Sequence, residues 1–447
     1  MNILNKFKFT YLIFLYVIFA LSSLFDRSFM GIYIFGFRIG EIIVGLFVLQ
    51  SLFVFLVNKK TTDALFLKDF SGSLKTYKII IFTFLLSLLY FQTSLTSTYT
   101  YKTSSYIWLA SIIYLSYYLQ QSNNFSLNIY SKFIYLYATL PIVHYLFSSG
   151  YYPDIIMTFF NEYSDKFTFT KASDIMLVLV ISCLLLFGTQ DNKKIPFIYF
   201  AAVVPLLIPL LLEMSRGSFF GASIFFLLIV LLEFKYLIKS PKFLFVLILI
   251  SSSTFLFSTY RISGIEFNST QNSEVSIDLS VTDNLKKIAK KQDTRKAFLS
   301  FYIEDGRLVS HDNTTNWRLD IWQDVVEDLN KKNLLLTGYG YNEIIPVMTD
   351  PSAPGRLGRD GLNENVHSYV FNILARGGIF QLILFGIFHF IFIRIWYLRY
   401  KTFDILLIII PVFINSATDM NMEGVQFPFI YYFFLGMFYK FYKNDIK

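Results

Sequence analysis

Residues 9–25 read FTYLIFLYVIFALSSLF, an apolar run that follows Lys6 and Lys8. A charge-free run of this length predicts a membrane-spanning helix, and because no small-residue cleavage site follows it, we expect it to remain as the first span. Similar runs recur along the chain, and 55% of its 447 residues are hydrophobic. This composition indicates a polytopic membrane protein and excludes a soluble one.

The net charge of +8 could suggest a nucleic-acid-binding protein. The lysines, however, stand in short gaps between apolar runs, where they report membrane topology. We therefore expect a lipid bilayer as the environment and no nucleic acid as a partner. With one cysteine, Cys183, the chain is expected to form neither an internal disulfide nor a thiolate metal site.

The apolar runs predict an all-α protein with about twelve transmembrane helices. Several runs are shorter than the roughly 20 residues that usually cross a bilayer, which tilt and interfacial ends would accommodate. The predicted spans are residues 9–25, 40–57, 78–95, 104–120, 129–147, 173–188, 195–212, 217–234, 242–258, 367–393, 403–419 and 425–439.

Lysine and arginine concentrate in alternate gaps between the spans, which fixes the orientation. Because the N-terminus belongs to the basic set, both termini are predicted to be cytoplasmic and the long segment 259–366 to lie outside. The chain thus divides into a membrane region 1–258, an external loop region 259–366 and a second membrane region 367–447. Basic gaps include Lys59 and Lys60, Lys193 and Lys194, Lys235 and Lys239, and Arg394 and Arg399.

The external segment begins with a polar run, residues 268–284. Basic residues then alternate with apolar ones over residues 285–302, which is typical of an amphipathic helix. Such a helix would lie either on the membrane surface or in solvent. The segment 259–366 is therefore predicted to be partly helical.

A second helix is predicted at residues 314–329, where Arg318, Trp322, Val325 and Leu329 recur at helical spacing. We expect Thr314, Thr315 or Asn316 to cap it. Glu327–Lys331 and Asp328–Lys332 are favourable pairs four residues apart.

Arg318 heads the apolar face of this helix. Burying an unpaired charge is costly, so its guanidinium needs an anionic partner. On these grounds a carboxylate and a phosphate are equally acceptable partners.

Three motifs occur in a fixed order along the chain. The first is Glu213-Met214-Ser215-Arg216-Gly217-Ser218, at a turn between two spans. The second is Trp317-Arg318 to Trp322 with Gly338-Tyr339-Gly340, in the external segment. The third is His367-Ser368-Tyr369 with Ala375-Arg376-Gly377-Gly378, at the next span. Together they resemble the bacterial O-antigen ligase and polymerase superfamily over roughly residues 195–435.

The resemblance implies a GT-C-like membrane glycosyltransferase in the bacterial inner membrane, with its long loop in the periplasm. Its donor would be a glycan linked to undecaprenyl pyrophosphate. A ligase passes that glycan to the lipid A core, whereas a polymerase passes it to another lipid-linked repeat unit. A polymerase of O-antigen, capsule or exopolysaccharide is favoured, and a ligase is the alternative. Other proteins of a polysaccharide assembly pathway are expected partners.

Carried over by position, the resemblance gives catalytic roles to Arg216, Arg318 and His367. Arg216 and Arg318, together with Arg376 and Tyr339 of the same motifs, are predicted to bind substrate. The chain departs from the family pattern where Ser368 stands in place of the asparagine found in many members.

The implied chemistry releases pyrophosphate, whose developing charge fixed arginines can neutralise without a metal or other cofactor. We therefore expect neither a metal ion nor another cofactor. Arg216 has an alternative role, because it could snorkel or pair with Glu213. For His367 at a helix start, the dipole favours the neutral imidazole, which can accept a hydroxyl proton. It could also merely cap or pack.

Arg376 lies inside a predicted span, where an arginine needs a partner. A carboxylate is favoured over the lipid pyrophosphate, and the candidates are Asp174, Asp419 and Glu423. Asp419 or Glu423 could also replace His367 as the base. Arg356 and Arg359 are expected in a solvated lid, with contact to acidic sugars as the alternative.

A transporter, such as a flippase for lipid-linked glycans, is the competing function. Transporters place charge along a central path and contain related halves. Here the cations gather at one boundary and in one loop, which favours chemistry at the membrane surface.

Overall fold

The computed structural model describes residues 3–57, 70–122, 127–167, 170–190, 192–263, 300–353, 356–357 and 364–441. Over these ranges the chain is mostly helical, with two short hairpins. In chain order the elements are α1 (Ile3–Met30), β1 (Tyr33–Ile34), β2 (Phe37–Arg38), α2 (Ile39–Leu56), α3 (Ser71–Tyr90), α4 (Thr98–Thr103), α5 (Ser105–Leu109), α6 (Ile112–Ser122), α7 (Leu127–Ala138), α8 (Leu140–Ser148), α9 (Asp154–Tyr163), α10 (Ala172–Thr189), α11 (Lys194–Met214), α12 (Arg216–Leu232), α13 (Phe234–Ile238), α14 (Pro241–Ser263), β3 (Phe301–Glu304), β4 (Arg307–Ser310), α15 (Asn313–Lys331), a 3-10 turn (Pro346–Thr349), α16 (Tyr369–Tyr400), α17 (Leu406–Thr418) and α18 (Gln426–Phe441).

The helices have the lengths and composition of a multi-pass membrane protein. Among the described residues, α1, α2, α3, α11, α14 and α16 contain six segments long and apolar enough to cross a bilayer. The helices α10, α12 and α17 are apolar but shorter. The prediction of a helical, polytopic membrane protein is confirmed, while the count of twelve spans and the GT-C-like arrangement stay predictions.

Two predicted spans are each built from two short helices. Residues 104–120 form α5 and α6, and residues 129–147 form α7 and α8. Pro141 lies at the first turn of α8 and lacks the N–H that a continuous helix would need there. At the other break Ser111 donates to the Trp108 carbonyl, and Gln50 donates to the Ser111 carbonyl. Side chains thus replace part of the helical bonding.

The helix α16 is too long to lie straight within a bilayer. Its 32 residues would extend about 48 Å, compared with about 30 Å of hydrocarbon. Gly378, with φ +70°, interrupts it. The 22 residues after the break are enough to cross the bilayer once. The turns before the break begin just after His367.

Residues 300–353 and 364–368 pack on one end of the helical bundle, which we call the loop end. A second hydrophobic core forms there around Ile321, Val325 and Leu329 of α15. Arg318 and Trp322, predicted to share this face, are half-buried at its edge. The two predicted side-chain pairs of α15 are confirmed, with Glu327–Lys331 at 2.8 Å and Asp328–Lys332 at 2.9 Å.

The prediction of an amphipathic helix over residues 285–302 is wrong for its C-terminal residues, which the structure describes. Residues 264–299 lie outside the described part of the chain. Phe301 and Tyr302 belong to β3, which pairs antiparallel with β4. Both residues have high strand propensity, and Asp305 and Gly306 adopt the positive φ angles of a tight turn. The turn therefore favours a hairpin over a helix.

Candidate active site

Arg216 begins α12 at the loop end, where it forms an ion pair with Asp312. Its Nη1 lies 2.8 Å from the Asp312 Oδ2, and the Asp312 side chain is buried. Sequence reasoning had offered Glu213 as the structural partner. The ion pair instead joins the start of α12 to the start of α15, residues nearly a hundred positions apart in the chain.

Asp312 is also the N-cap of α15. It accepts hydrogen bonds from the backbone N–H of Thr315 at 2.9 Å and from its hydroxyl at 2.7 Å. The prediction of a cap at Thr314, Thr315 or Asn316 is therefore wrong by two to four positions, because the carboxylate of Asp312 accepts the N–H of Thr315 and the helix begins earlier, at Asn313. Although burial opposes ionisation, the bonds from Thr315 and Arg216 hold the pKa of Asp312 below its usual value.

Gly217 follows Arg216 and lets α17 approach. A Cβ on Gly217 would lie 2.1 Å from the hydroxyl oxygen of Thr418. Close packing of α12 on α17 therefore accounts for glycine at this position. The contact brings the end of α17 beside Arg216.

Arg318 extends from the second turn of α15 to that same end of α17. Its Nη1 donates to the Thr418 carbonyl at 2.6 Å. No carboxylate of the described residues lies within ion-pair distance of Arg318, and its buried Nε has no hydrogen-bond partner among them. Burial lowers the pKa of the guanidinium, while Asp419 and Asp312 favour its charge.

His367 lies beside Arg318, in the turn that leads into α16. Its ring centroid is 5.0 Å from that of Trp317 in an edge-on arrangement. Trp322 donates from Nε1 to the Val366 carbonyl at 2.7 Å, so two tryptophans of α15 position this turn. Burial, followed by the charge of Arg318, lowers the pKa of His367 to about 4. The imidazole is therefore neutral at neutral pH.

The residue after His367 has a structural task. Ser368 is the N-cap of α16, and its Oγ accepts from the Phe371 N–H at 3.4 Å. His367 itself has φ +53°, in the left-handed region that few non-glycine residues occupy. Serine in place of the family's asparagine therefore keeps a side-chain oxygen for capping.

Asp419 and Lys171 complete the surroundings of His367. Both interact electrostatically with it, and Asp419 also interacts with Arg318. Asp419 follows α17, and its Oδ1 accepts from the Met420 N–H at 2.8 Å. Of the two carboxylates proposed as alternative bases, Asp419 is thus the one near His367.

Glu423 lies in a different charge group. Its electrostatic neighbours are Arg376, Arg27 and Lys102, and burial raises its pKa to about 8. A carboxyl that stays protonated at neutral pH is a poor general base. The position and protonation of Glu423 both set it apart from Arg318 and His367.

Arg376 is fully buried and bonded mainly to backbone. It donates to the carbonyls of Gly340 and Glu343 and, at 2.7 Å, to the Tyr99 hydroxyl. The expectation of a direct carboxylate pair is wrong, because no described carboxylate is within ion-pair distance and inward-facing carbonyls take its place. Arg376 thus positions residues 340–343, and the structure does not bring it to Arg318.

Tyr339 also lies away from Arg318. Its hydroxyl donates to Asp328 Oδ2 at 2.7 Å, near the far end of α15, and its N–H donates to the Ala375 carbonyl. The ring is buried. These contacts give Tyr339 a packing role between α15 and α16.

The predicted lid around Arg356 and Arg359 is wrong for Arg356. This side chain is 4% exposed, and it bonds to Asp320, Asp324 and the Val347 carbonyl. Arg307 shares the same two carboxylates. A solvated loop would not bury its arginine in such a cluster. Arg359 lies outside the described residues.

The structure therefore brings Arg216, Arg318 and His367 together and separates them from Arg376 and Tyr339. Sequence reasoning missed Asp312, Lys171 and the Thr418 carbonyl. An aspartate just before Thr314 and Thr315 is a capping signal that could have identified Asp312. No such signal exists in the sequence for Lys171. Within the described ranges, no three His, Cys, Asp or Glu side chains are grouped to hold a metal ion.

The chain matches the family model described as O-Antigen ligase over residues 200–386. The matched segment contains Arg216, Arg318, His367 and Arg376, and it lies inside the range over which the motifs resemble the family. No curated protein matches the chain. The match to residues 200–386, the helical membrane architecture and the order of the three motifs together support the similarity of this chain to the O-antigen ligase and polymerase superfamily.

Proposed function

We propose that this chain transfers a glycan from an undecaprenyl-pyrophosphate-linked donor to an acceptor at the periplasmic face of the bacterial inner membrane. The observation that carries the proposal is the environment of Arg318. Its Nε–H is buried without a partner among the described residues, and no described carboxylate pairs with it. An oxygen of the donor pyrophosphate would supply a negative charge to pair with the guanidinium and a hydrogen-bond acceptor for its Nε–H.

The two arginines contribute unequally to this site. Arg216 already shares its charge with Asp312 at 2.8 Å, whereas among the described residues Arg318 donates to a neutral carbonyl and pairs with no carboxylate. Arg318 should therefore contribute more to binding the pyrophosphate and to neutralising the charge that develops as it leaves. Arg216 would hold α15 in place and add a second, weaker contact.

The proposed reaction is a substitution at the anomeric carbon of the donor glycan. The acceptor hydroxyl oxygen bonds to that carbon, and the bond from the carbon to the phosphate oxygen breaks. Undecaprenyl pyrophosphate leaves with the bonding electron pair. Neutral His367 takes the hydroxyl proton, and the nearby carboxylate of Asp419 stabilises the imidazolium that forms.

Asp419 is the alternative base. It lies beside the same groups as His367, and a carboxylate could accept the hydroxyl proton directly. Replacing each residue separately distinguishes the two roles. If His367→Ala retains transfer while Asp419→Asn loses it, the carboxylate is the base and His367 only lines the site.

The arginine assignment is tested by replacing each arginine with lysine. A lysine keeps the charge but cannot form the planar fork. We expect Arg318→Lys to lose most glycan transfer at normal protein levels, and Arg216→Lys to lose less. Arg307→Lys is the matched control, because Arg307 pairs with Asp320 and Asp324 and not with the groups around Arg318. Normal polysaccharide from both Arg216→Lys and Arg318→Lys would show that these arginines are structural.

Within this proposal we favour polymerase activity over ligase activity. The two differ in the acceptor that receives the glycan. Purified protein given only the lipid-linked repeat unit should form lipid-linked dimers and longer chains. A ligase would leave this donor unchanged until lipid A core is added. A flippase would convert it in neither case and would only move it between leaflets.

A further inference from the structure

A cleft of about 300 Å³ opens between α3, α16 and residues 336–341, on the side of α16 that faces α3. Its rim is apolar and includes Leu86 and Tyr90 of α3, Leu336, and Phe380 of α16. All four side chains are exposed. Since α3 and α16 are among the helices able to cross a bilayer, the cleft faces lipid near the loop end.

The Gly338-Tyr339-Gly340 motif and the glycine pair of α16 build this cleft. The Tyr339 and Gly340 N–H groups donate to the Ala375 and Arg376 carbonyls, and the Ile379 N–H donates to the Leu335 carbonyl. A Cβ on Gly338 would lie 2.5 Å from the backbone of Arg376. The loop therefore inserts its backbone into the interruption of α16, and the joint forms one wall of the cleft.

Irregular backbone at the level of a bilayer is stable only where protein buries it or where it borders a cavity. In this joint the backbone groups freed by the helix break are hydrogen-bonded. The loop can therefore contact lipid without the free-energy cost of unpaired N–H and C=O groups. The two glycine motifs thus form one structural joint, and the chemistry proposed at Arg318 does not require this joint. They keep a lipid-accessible space open beside a broken span.

The polar groups of the cleft are few and mostly engaged. The Gln381 side chain accepts from the Tyr341 hydroxyl, while the buried Ser87 Oγ has no partner among the described residues. A sugar would need many hydrogen-bond partners, which this lining does not offer. A slender hydrocarbon chain needs apolar contact, and the exposed rim offers it.

We propose that this cleft binds the polyisoprenoid chain of the lipid-linked substrate. The inference rests on the proposed function, since it assumes that the pyrophosphate lies at Arg318. His367 is ten residues from Gly377 along α16, which corresponds to about 15 Å. A chain of many isoprene units can span that distance from the pyrophosphate and still continue into the bilayer.

The test compares donors that carry the same glycan and pyrophosphate on a full-length chain or on a two-unit isoprenoid. Leu336→Trp and Leu86→Trp narrow the cleft with side chains at its rim. The narrowed cleft makes fewer apolar contacts with the isoprenoid chain, so we expect kcat/KM for the long-chain donor to fall on the order of tenfold, which corresponds to about 1.4 kcal/mol. The loss should lie in KM, and the short-chain donor should be unaffected. Leu49→Trp, at an exposed position of α2, is the matched control.

A second arm identifies what occupies the cleft. A polyprenyl pyrophosphate with a photoreactive chain should crosslink near Phe380, and Leu336→Trp should reduce this capture. A phospholipid with a photoreactive acyl chain is the comparison. Capture of the phospholipid alone, or equal effects of the tryptophans on both donors, overturns the proposal. If wild-type protein transfers from no donor, the proposed function fails, while crosslinking still decides whether the cleft binds an isoprenoid.

Discussion

At the scale of the residue, the site depends on how three charged or titratable side chains are partnered. Arg216 pairs with a carboxylate, and among the described residues Arg318 is bonded to a carbonyl and to no carboxylate. His367 is held neutral by burial and by the charge of Arg318. An unpaired guanidinium beside a neutral imidazole can bind an anion and accept a proton at the same place. Arg376 also has a buried Nε without a partner among the described residues, but both of its terminal nitrogens donate to the protein, to two carbonyls and the Tyr99 hydroxyl.

His367 should make the stability of the protein depend on pH in a defined window. Its pKa is about 4 in the folded protein and 6.5 ordinarily. Between these values the unfolded chain binds a proton that the folded protein does not, so the free energy of unfolding decreases as the pH falls from 6.5 to 4. We expect His367→Gln to remove this part of the decrease, measured as melting temperatures in detergent at pH 7 and pH 4.5.

The control for this experiment is His311→Gln, because His311 is exposed after β4. That variant should keep the wild-type difference between the two pH values. An unchanged pH dependence in His367→Gln would show that His367 is not held neutral in the folded protein.

Asp312 carries two interactions that a single substitution can remove. Asp312→Asn keeps a side-chain oxygen for the cap but loses the charge that pairs with Arg216, whereas Asp312→Ala loses both. The N-cap alone contributes about 1 kcal/mol. We expect the melting temperature to decrease for both variants, and more for alanine. Asp305→Asn, which keeps a residue type that tolerates the positive φ of the exposed hairpin turn, is the control for Asp312→Asn and should be nearly neutral, and equal effects at the two positions would contradict the role of Asp312.

At the scale of the element, α16 shows how local sequence and packing share the control of shape. The Gly377-Gly378 pair permits an interruption, but a glycine pair by itself does not require one. The backbone of residues 335–340 supplies the partners for the freed groups. Helix propensity predicts the span, and the inserted loop determines where it breaks.

Gly378→Ala should destabilise the protein strongly. The new Cβ would lie 2.2 Å from the backbone of Leu336 at a φ of +70°. Strain of this kind costs on the order of 1–3 kcal/mol before any clash is counted. Gly386→Ala in the same helix is the control, since nothing lies within 4 Å of its added Cβ, and it should leave stability equal or slightly higher. Comparable melting temperatures for the two variants would refute the account of the break.

At the scale of the whole molecule, the orientation in the membrane remains a prediction from the lysine pattern. A reporter enzyme that works only in the cytoplasm, fused after Asn330 at the end of α15, should be silent. The same reporter fused at the C-terminus should be active. Activity of the Asn330 fusion would place the loop end in the cytoplasm, away from the donor that the proposed reaction requires.

The sequence alone determined the class of protein and the position of its key residues along the spans. Apolar runs and basic gaps are local patterns, and each reports directly on the free energy of placing that segment in a bilayer. The sequence also indicated that Arg216 and His367 stand at the heads of apolar helices, as α12 and α16 confirm.

Only the tertiary structure decided which groups meet. Asp312 with Arg216, the Thr418 carbonyl with Arg318, and the loop at Gly378 are all contacts between distant parts of the chain. Helical period says which face a residue occupies, but it does not say which helix end or carbonyl lies opposite. That choice depends on the simultaneous packing of α12, α15, α16 and α17 at the loop end, because a buried charge is stabilised only by the groups that packing brings within reach.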